Sequence, residues 1–485
     1  MTAVLLGVDL GSTRTKVALV TGDGRLVGLA RADHAFDVDP ASGRAEQDAD
    51  AWWAGLGAAV RRVVADAGVL PDGICVAGQG PTLVAVDEAG APVRPATTWL
   101  DTRADADRAR IEEASGLRGW ALGVLPAARW LEREDPAPAR RARWYLNSWE
   151  AVAFRLTGVA ASTFVSGAAG IPDGVIAAAG IDAERVAPPA ESGTVLGGLT
   201  PLAGQHLGLP GGTPVVAGLV DAFASFHGAR MLGPGDAIDV GGAAGGFGVY
   251  SSTPLQVLGG FTTPAPLPGL YSVGAAMAAT GASLDWFANK VLDGRPIPEL
   301  LADAASVPPA ADGLIFLPYL AGERSPLWDP SARGAFVGLT LSHGRGHLVR
   351  AILEAAALAI RHVSTPMLAA GIEVTAMRAC GGPAQDDGWN QIKADVTGFV
   401  VEVPRIRETA ALGAGILAAV GIGAYAEVRA AIEAMTAIDR RFEPDPSHTS
   451  AYDRAFDAYL GLYPAIKPVL RALAPASTER VGAAA

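Results

Sequence analysis

A chain of 485 residues exceeds what one hydrophobic core usually serves, so two domains are expected. Half of its residues are hydrophobic and only 18% are charged, the balance of a well-buried globular enzyme rather than a disordered or fibrous chain. The formal net charge of −12 leaves no basic stripe for nucleic acid, and Cys75 and Cys380 stand far apart without ligand spacing, so neither a disulfide framework nor a zinc site is suggested. The first strand begins within three residues of the start and no apolar run reaches about 18 residues, so neither a signal peptide nor a membrane helix is expected. A reducing cytoplasm is the expected compartment.

The first elements are two apolar strand-like runs, Val4-Leu5-Leu6 and Val17-Ala18-Leu19-Val20. Between them "DLGSTRTK" forms a tight hairpin carrying one acid, one glycine, three hydroxyls and two cations. A purely structural turn needs little beyond glycine. Backbone N–H groups around Gly11, the hydroxyls and Lys16 are phosphate-binding chemistry, and Asp9 is able to hold Mg²⁺ through water. An ordinary polar hairpin is the alternative. Glu46 to Gly68 reads as a helix with an acidic start at Asp48 and Asp50. "ATTWLDTRADADRARIEEASG" is a loop that turns into a charged helix. Residues 213–218 form a strand, Asp221 lies just past it, and residues 222–229 are helical. "DAIDVGGAAGGFGVY" is a second glycine hairpin. A helix starts near His347, and "AMRACGGPAQDDGWNQIKADVTGFVVEVP" reads as strand, glycine turn, helix, strand. "ETAALGAGILAAVGIGAY" is a small-residue helix suited to close packing. Three glycine loops that each leave a strand, at residues 9–16, 241–246 and 381–382, suggest a nucleotide cleft between two α/β domains. Neither a Rossmann fingerprint nor a Walker loop is present.

These motifs, in this order, resemble the FGGY family of carbohydrate kinases. The most specific stretch is "GAFVGLTLSHGRGHLVRAILE", Gly334 to Glu354, flanked by "LPYLAGERSPLWDPSARG" and "CGGPAQDDGWNQIKADVTG". Within the family, xylulokinase-like members are the nearest. The resemblance implies a two-domain ribonuclease H-like α/β fold of the actin and hexokinase type, with the cleft between its domains. It places an N-terminal domain at residues 1–247, a C-terminal domain at residues 248–475 and a flexible tail at residues 476–485. It implies ATP and Mg²⁺ as cofactors and a small sugar or polyol as substrate, with a homodimer left open as the assembly. Carried over by residue, Asp221 matches the catalytic base, and Asp9 together with Asp221 the metal site. Gly11, Ser12, Thr13 and Lys16 match the first phosphate loop, Gly242 and Ala243 the second, and Gly381 and Gly382 the adenosine loop. Gln79, Trp99, Asp101 and Arg103 match the sugar side.

The bottom-up alternatives stand beside these roles. Asp221 also suits a helix N-cap, Trp99 the core, Arg103 a solvated helix face, and His347 a helix start. The chain also departs from the family's pattern. "GGAAGG" lacks the hydroxyl of the usual second phosphate loop, "QGPT" puts Pro81 where xylulokinases carry a histidine, Ala222 follows the base, and "PAARWL" lacks a lysine. The implied reaction is phosphorylation of a primary hydroxyl, with D-xylulose as the leading substrate. Ribulose, glycerol or erythritol are alternatives, as is a non-catalytic sugar or nucleotide sensor.

Overall fold

The first apolar run becomes β1 (Val4–Leu10), which turns through Gly11–Thr13 into β2 (Arg14–Thr21) and continues to β3 (Leu26–Asp33) in the computed structural model. Residues 2–39, 41–163 and 170–473 are described; the expected tail at 476–485 lies outside them. The chain divides into two compact units. One comprises Met1–Leu232, Ala265–Pro268 and Glu408–Ala437, the other Gly233–Pro264, Gly269–Arg407 and Ile438–Ala485.

The sheet of the first unit adds β4 (Gly73–Gly78), β5 (Val195–Gly198) and β6 (Pro214–Val216), in the order β5-β6-β4-β1-β2-β3. Strands β1, β4 and β6 run parallel. Six of the seven residues of β1 are buried, as a parallel strand covered on both faces requires. The helix Ala49–Ala67 covers part of the sheet with Trp52, Leu56, Val60 and Val63, spaced to lie on one helical face. Its N-cap is Asp48, whose carboxylate accepts the Asp50 N–H at 2.9 Å. Glu46 and Gln47, read from the sequence as the helix start, instead end a short strand, Arg44–Gln47.

The second unit holds a seven-stranded sheet of β7 (Asp236–Gly241), β8 (Gly245–Ser251), β9 (Phe261–Pro264), β10 (Tyr271–Met277), β11 (Ala376–Gly381), β12 (Val401–Pro404) and β13 (Ile438–Phe442). Its order is β9-β10-β8-β7-β11-β12-β13. The helix Arg345–Ala369 packs Val349, Ile352, Leu353 and Ala356 into this unit's core. It begins two residues before His347, whose Nδ1 accepts the Gly344 N–H at 3.2 Å, so His347 does serve the helix start.

The sequence places the domain division after residue 247, whereas the compact units part after Leu232. The β7–β8 hairpin is the reason. It pairs Ala237 with Val249 and joins β11 in parallel, which keeps both of its strands in the second unit. The small-residue helix Thr409–Gly421 belongs to the first unit rather than to the C-terminal half. A Cβ added at Gly7 of β1 would lie 1.9 Å from the Ala411 carbonyl oxygen, and one at Gly413 would lie 1.9 Å from that of Ala224. Only glycine permits backbones to approach so closely. Among the described residues no helix is long and apolar enough to cross a membrane.

Candidate active site

In the first unit, parallel pairing brings the chemistry to one end of the sheet. Asp9 of β1 lies beside Ala77 of β4, and Gly78 bridges in parallel to Val220. Asp9, Gln79 and Asp221 therefore sit at the carboxyl ends of three neighbouring extended segments, where open α/β sheets bind their ligands. Asp9 is buried and its Oδ2 lies 3.1 Å from Lys16 Nζ, its cross-strand neighbour on β2.

Asp221 is the first residue of the helix Asp221–Gly228. Val220 holds the N-cap position in extended conformation, and the Asp221 carboxylate accepts the N–H of Ala222 at 2.7 Å. The capping alternative thus gives way, because the side chain does not reach back over the first turn from the cap position. Part of Asp221 stays accessible, while the atoms packed around it strip most of its water. That desolvation, reinforced by the charge of Asp9, pushes its pKa up to about 7 against the opposing pull of the Ala222 N–H and Lys16. Two mutually repelling carboxylates at one sheet end form a natural seat for a divalent cation. Among the described residues no three His, Cys, Asp or Glu side chains converge as a metal site. The pair fits an ion that keeps most of its ligands as water or phosphate, as Mg²⁺ does.

The first glycine turn is more self-contained than the sequence suggests. The Gly11 N–H donates to the Arg14 carbonyl at 3.1 Å, and the Ser12 hydroxyl donates to Gln79 Oε1 at 3.0 Å. Trp99 Nε1 donates to the same hydroxyl at 3.0 Å. The structure therefore brings together Ser12, Gln79 and Trp99. Asp101 and Arg103 form a separate knot. Arg103 Nε lies 3.0 Å from both Asp101 oxygens, and the Ala45 N–H donates to Asp101 Oδ2 at 2.9 Å. The Arg103 guanidinium also reaches Glu46 and stands 4.2 Å from the centre of the Trp130 ring. Arg103 is thus no solvated helix face, and the pair anchors the loop that carries Trp99.

In the second unit, Gly242, Ala243 and Ala244 form the turn between β7 and β8. The Gly242 N–H donates to the Ala244 carbonyl at 3.0 Å, and the Ala243 carbonyl accepts the Ala282 N–H at 2.8 Å. Gly241 and Gly381 are partners on the parallel strands β7 and β11, so the two glycine loops leave the sheet side by side. Gly381 has a φ of +79°, and a Cβ there would lie 1.7 Å from the Gly241 carbonyl oxygen. Beneath these loops Lys393, 2% exposed, pairs with Asp239 of β7 at 2.5 Å. Both line a cavity with Gly241, Thr280, Pro383 and Trp389.

Gln47 and Lys393 were missed by sequence reasoning. Gln47 accepts the Gln79 amide at 2.6 Å, and its only signal was a glutamine just before a capping aspartate. Lys393, inside "QIKAD", offered the sign of a lysine on an otherwise buried helix face.

Residues 4–228 match the N-terminal domain, and residues 240–422 the C-terminal domain, of the FGGY family of carbohydrate kinases. The xylulose kinase of Bacillus subtilis is 28% identical, over 97% of this chain and 98% of the relative. A gluconokinase of Bacillus licheniformis is 27% identical, over 86% of this chain and 87% of the relative. The crystal structure of xylulose kinase from Rhodospirillum rubrum superposes with a TM-score of 0.82 at 32% identity, covering 96% of this chain and 99% of that one. The chain belongs to the FGGY family of carbohydrate kinases: it is a phosphotransferase acting on an alcohol group, built on the family's two-domain α/β fold of the actin-like ATPase type.

Proposed function

We propose that this kinase transfers the γ-phosphoryl group of ATP to a primary hydroxyl of a ketopentose, D-xylulose, giving D-xylulose 5-phosphate. The observation that carries the choice of sugar is its near full-length likeness to xylulose kinases. Phosphoryl transfer asks a protein mainly for positioning and charge neutralisation, with a base beside the attacking oxygen. An alcohol is too weakly acidic to ionise beforehand, so Asp221 takes its proton as the O–P bond forms. Asp9 and Asp221 would hold Mg²⁺, which when bound neutralises charge on the phosphates. Lys16 and the backbone from Gly11 to Thr13 form the first phosphate loop and Gly242 and Ala243 the second, with Gly381 and Gly382 at the adenosine. Gln79 and Trp99 face the sugar, steadied by the Asp101–Arg103 pair.

The test is ADP release measured over D-xylulose, D-ribulose, glycerol, erythritol and gluconate. D-Xylulose should give the highest kcat/KM. A higher value with another acceptor overturns the choice of sugar, and binding of sugar and ATP without turnover identifies a sensor.

The alanine in the second phosphate loop makes a sharper expectation. Ala243 is exposed and its carbonyl is already held, so a side chain added there meets a settled backbone. A hydroxyl hydrogen bond contributes about 0.5–1.5 kcal/mol to a neutral group and about 1.5–3 kcal/mol to a charged one. Ala243→Thr should therefore raise kcat/KM for ATP about three- to thirty-fold and leave the sugar KM in place. A changed sugar KM with unaltered ATP kinetics would remove this hairpin from the nucleotide side.

A further inference from the structure

We propose that Ser12 is a sugar-side positioning residue, its hydroxyl tying the first glycine turn to Gln79 and Trp99 so that it governs affinity for the sugar rather than for ATP. This deepens the sugar-kinase reading above and rests on it for the identity of the ligand. The family resemblance makes Ser12 a phosphate ligand; the direction of its hydrogen bonds argues otherwise.

That direction follows from the groups that can only accept. The amide nitrogen of Gln47 reaches two backbone carbonyls, those of Ser12 and of Ala35, the latter at 3.0 Å. Carbonyls cannot donate, so this end of Gln47 is its NH₂ and its Oε1 faces Gln79. The Gln79 group 2.6 Å from that oxygen must then be its own NH₂. Gln79 Oε1 consequently faces Ser12, and the Ser12 proton points to it at 3.0 Å. A lone pair of the hydroxyl is left for the indole N–H of Trp99, a group that can only donate. Every link has one allowed sense.

Two consequences follow. Phosphate oxygens on ATP need a donor, and the single Ser12 proton is already engaged by Gln79, which is 1% exposed and has little water to turn to instead. Trp99, 36% exposed, has its N–H committed as well, so it offers a sugar its ring face and no hydrogen bond. Ser12 thereby fixes the orientation of a sugar platform and of the Gln79 amide at once.

Ser12→Ala should raise the KM of the preferred acceptor about five- to twenty-fold and leave the ATP KM within about twofold. Ser12→Thr, which keeps the hydroxyl, should restore the sugar KM. The double variant Ser12→Ala/Gln79→Ala should bind sugar no worse than Gln79→Ala alone, because both remove one relay. A raised ATP KM with an unchanged sugar KM, or independent effects in the double variant, overturns the proposal. A second readout needs no turnover. In ¹⁵N-indole spectra, the Trp99 signal, assigned by its loss in Trp99→Phe, should shift in Ser12→Ala and stay near its place in Ser12→Thr. An unmoved Trp99 signal in Ser12→Ala overturns the relay whatever the substrate. A shifted signal in a protein that phosphorylates none of the acceptors would instead count against the sugar assignment.

Discussion

Asp221→Asn is expected to lower turnover about 10²–10⁴-fold, the usual contribution of a positioned general base. Asparagine keeps the shape of the side chain but cannot take the proton from the sugar hydroxyl. The effect should fall mainly on kcat; because Asp221 would share Mg²⁺ with Asp9, the ATP KM should rise as well, by less than kcat falls. In the wild-type protein burial and the Asp9 charge raise the pKa of Asp221 to about 7. The base works only when unprotonated, so kcat/KM should rise with pH through that region, and the variant's residual rate should lack this limb. Stability gives the complementary sign. A carboxyl whose pKa is raised by folding favours the protonated state, contributes stability below its ordinary range, and loses that contribution as pH rises through about 7. At pH 8 the asparagine variant should therefore melt no lower than the parent. Wild-type turnover in Asp221→Asn would remove the carboxylate from the chemistry, and a lower melting temperature would make its role structural.

Gly381→Ala and Gly382→Ala should part company, although the two glycines are adjacent. At Gly381 the backbone has a φ of +79° and the new methyl would stand 1.7 Å from the Gly241 carbonyl oxygen. The strands β7 and β11 must separate to admit it, at a cost of about 1–3 kcal/mol for overpacking plus about 1–2 kcal/mol for the left-handed backbone. Thermal melting should show that loss, and nucleotide binding should weaken with it. Gly382 has a φ of −59° and nothing within 4 Å of a built Cβ. Its alanine variant should melt like the parent. Should the free space at Gly382 be where adenosine lies, the ATP KM of that variant rises alone. Equal melting of the two variants would contradict the close approach of the glycine loops.

Much of this was legible in the sequence because it is local. The β1–β2 hairpin, the acidic helix start at Asp48 and Asp50, the strand-to-helix junction at Asp221 and the glycine turns all depend on neighbours a few residues away. What could not be read depends on distant partners. Ser12 lies 67 positions from Gln79, so nothing in "DLGST" indicates that its hydroxyl is engaged. Lys393 and Asp239 are 154 positions apart and meet only once β7 and the helix Asp387–Thr397 are packed. "TWLDTR" shows an acid and a base two residues apart, but not that Glu46 and Trp130 close the knot around them. The place of the helix Thr409–Gly421 in the first unit turned on Gly7, whose missing side chain looked like any other glycine in a glycine-rich chain.

The chemistry itself is open to one direct observation, phosphorus NMR of the protein with ATP, Mg²⁺ and D-xylulose. A phosphomonoester signal should grow in step with ADP, split by the two protons of a primary carbon; it should be absent without sugar and grow at least about 100-fold more slowly with Asp221→Asn. ADP and inorganic phosphate as the only new products, formed equally with and without sugar, would contradict phosphoryl transfer to a primary hydroxyl.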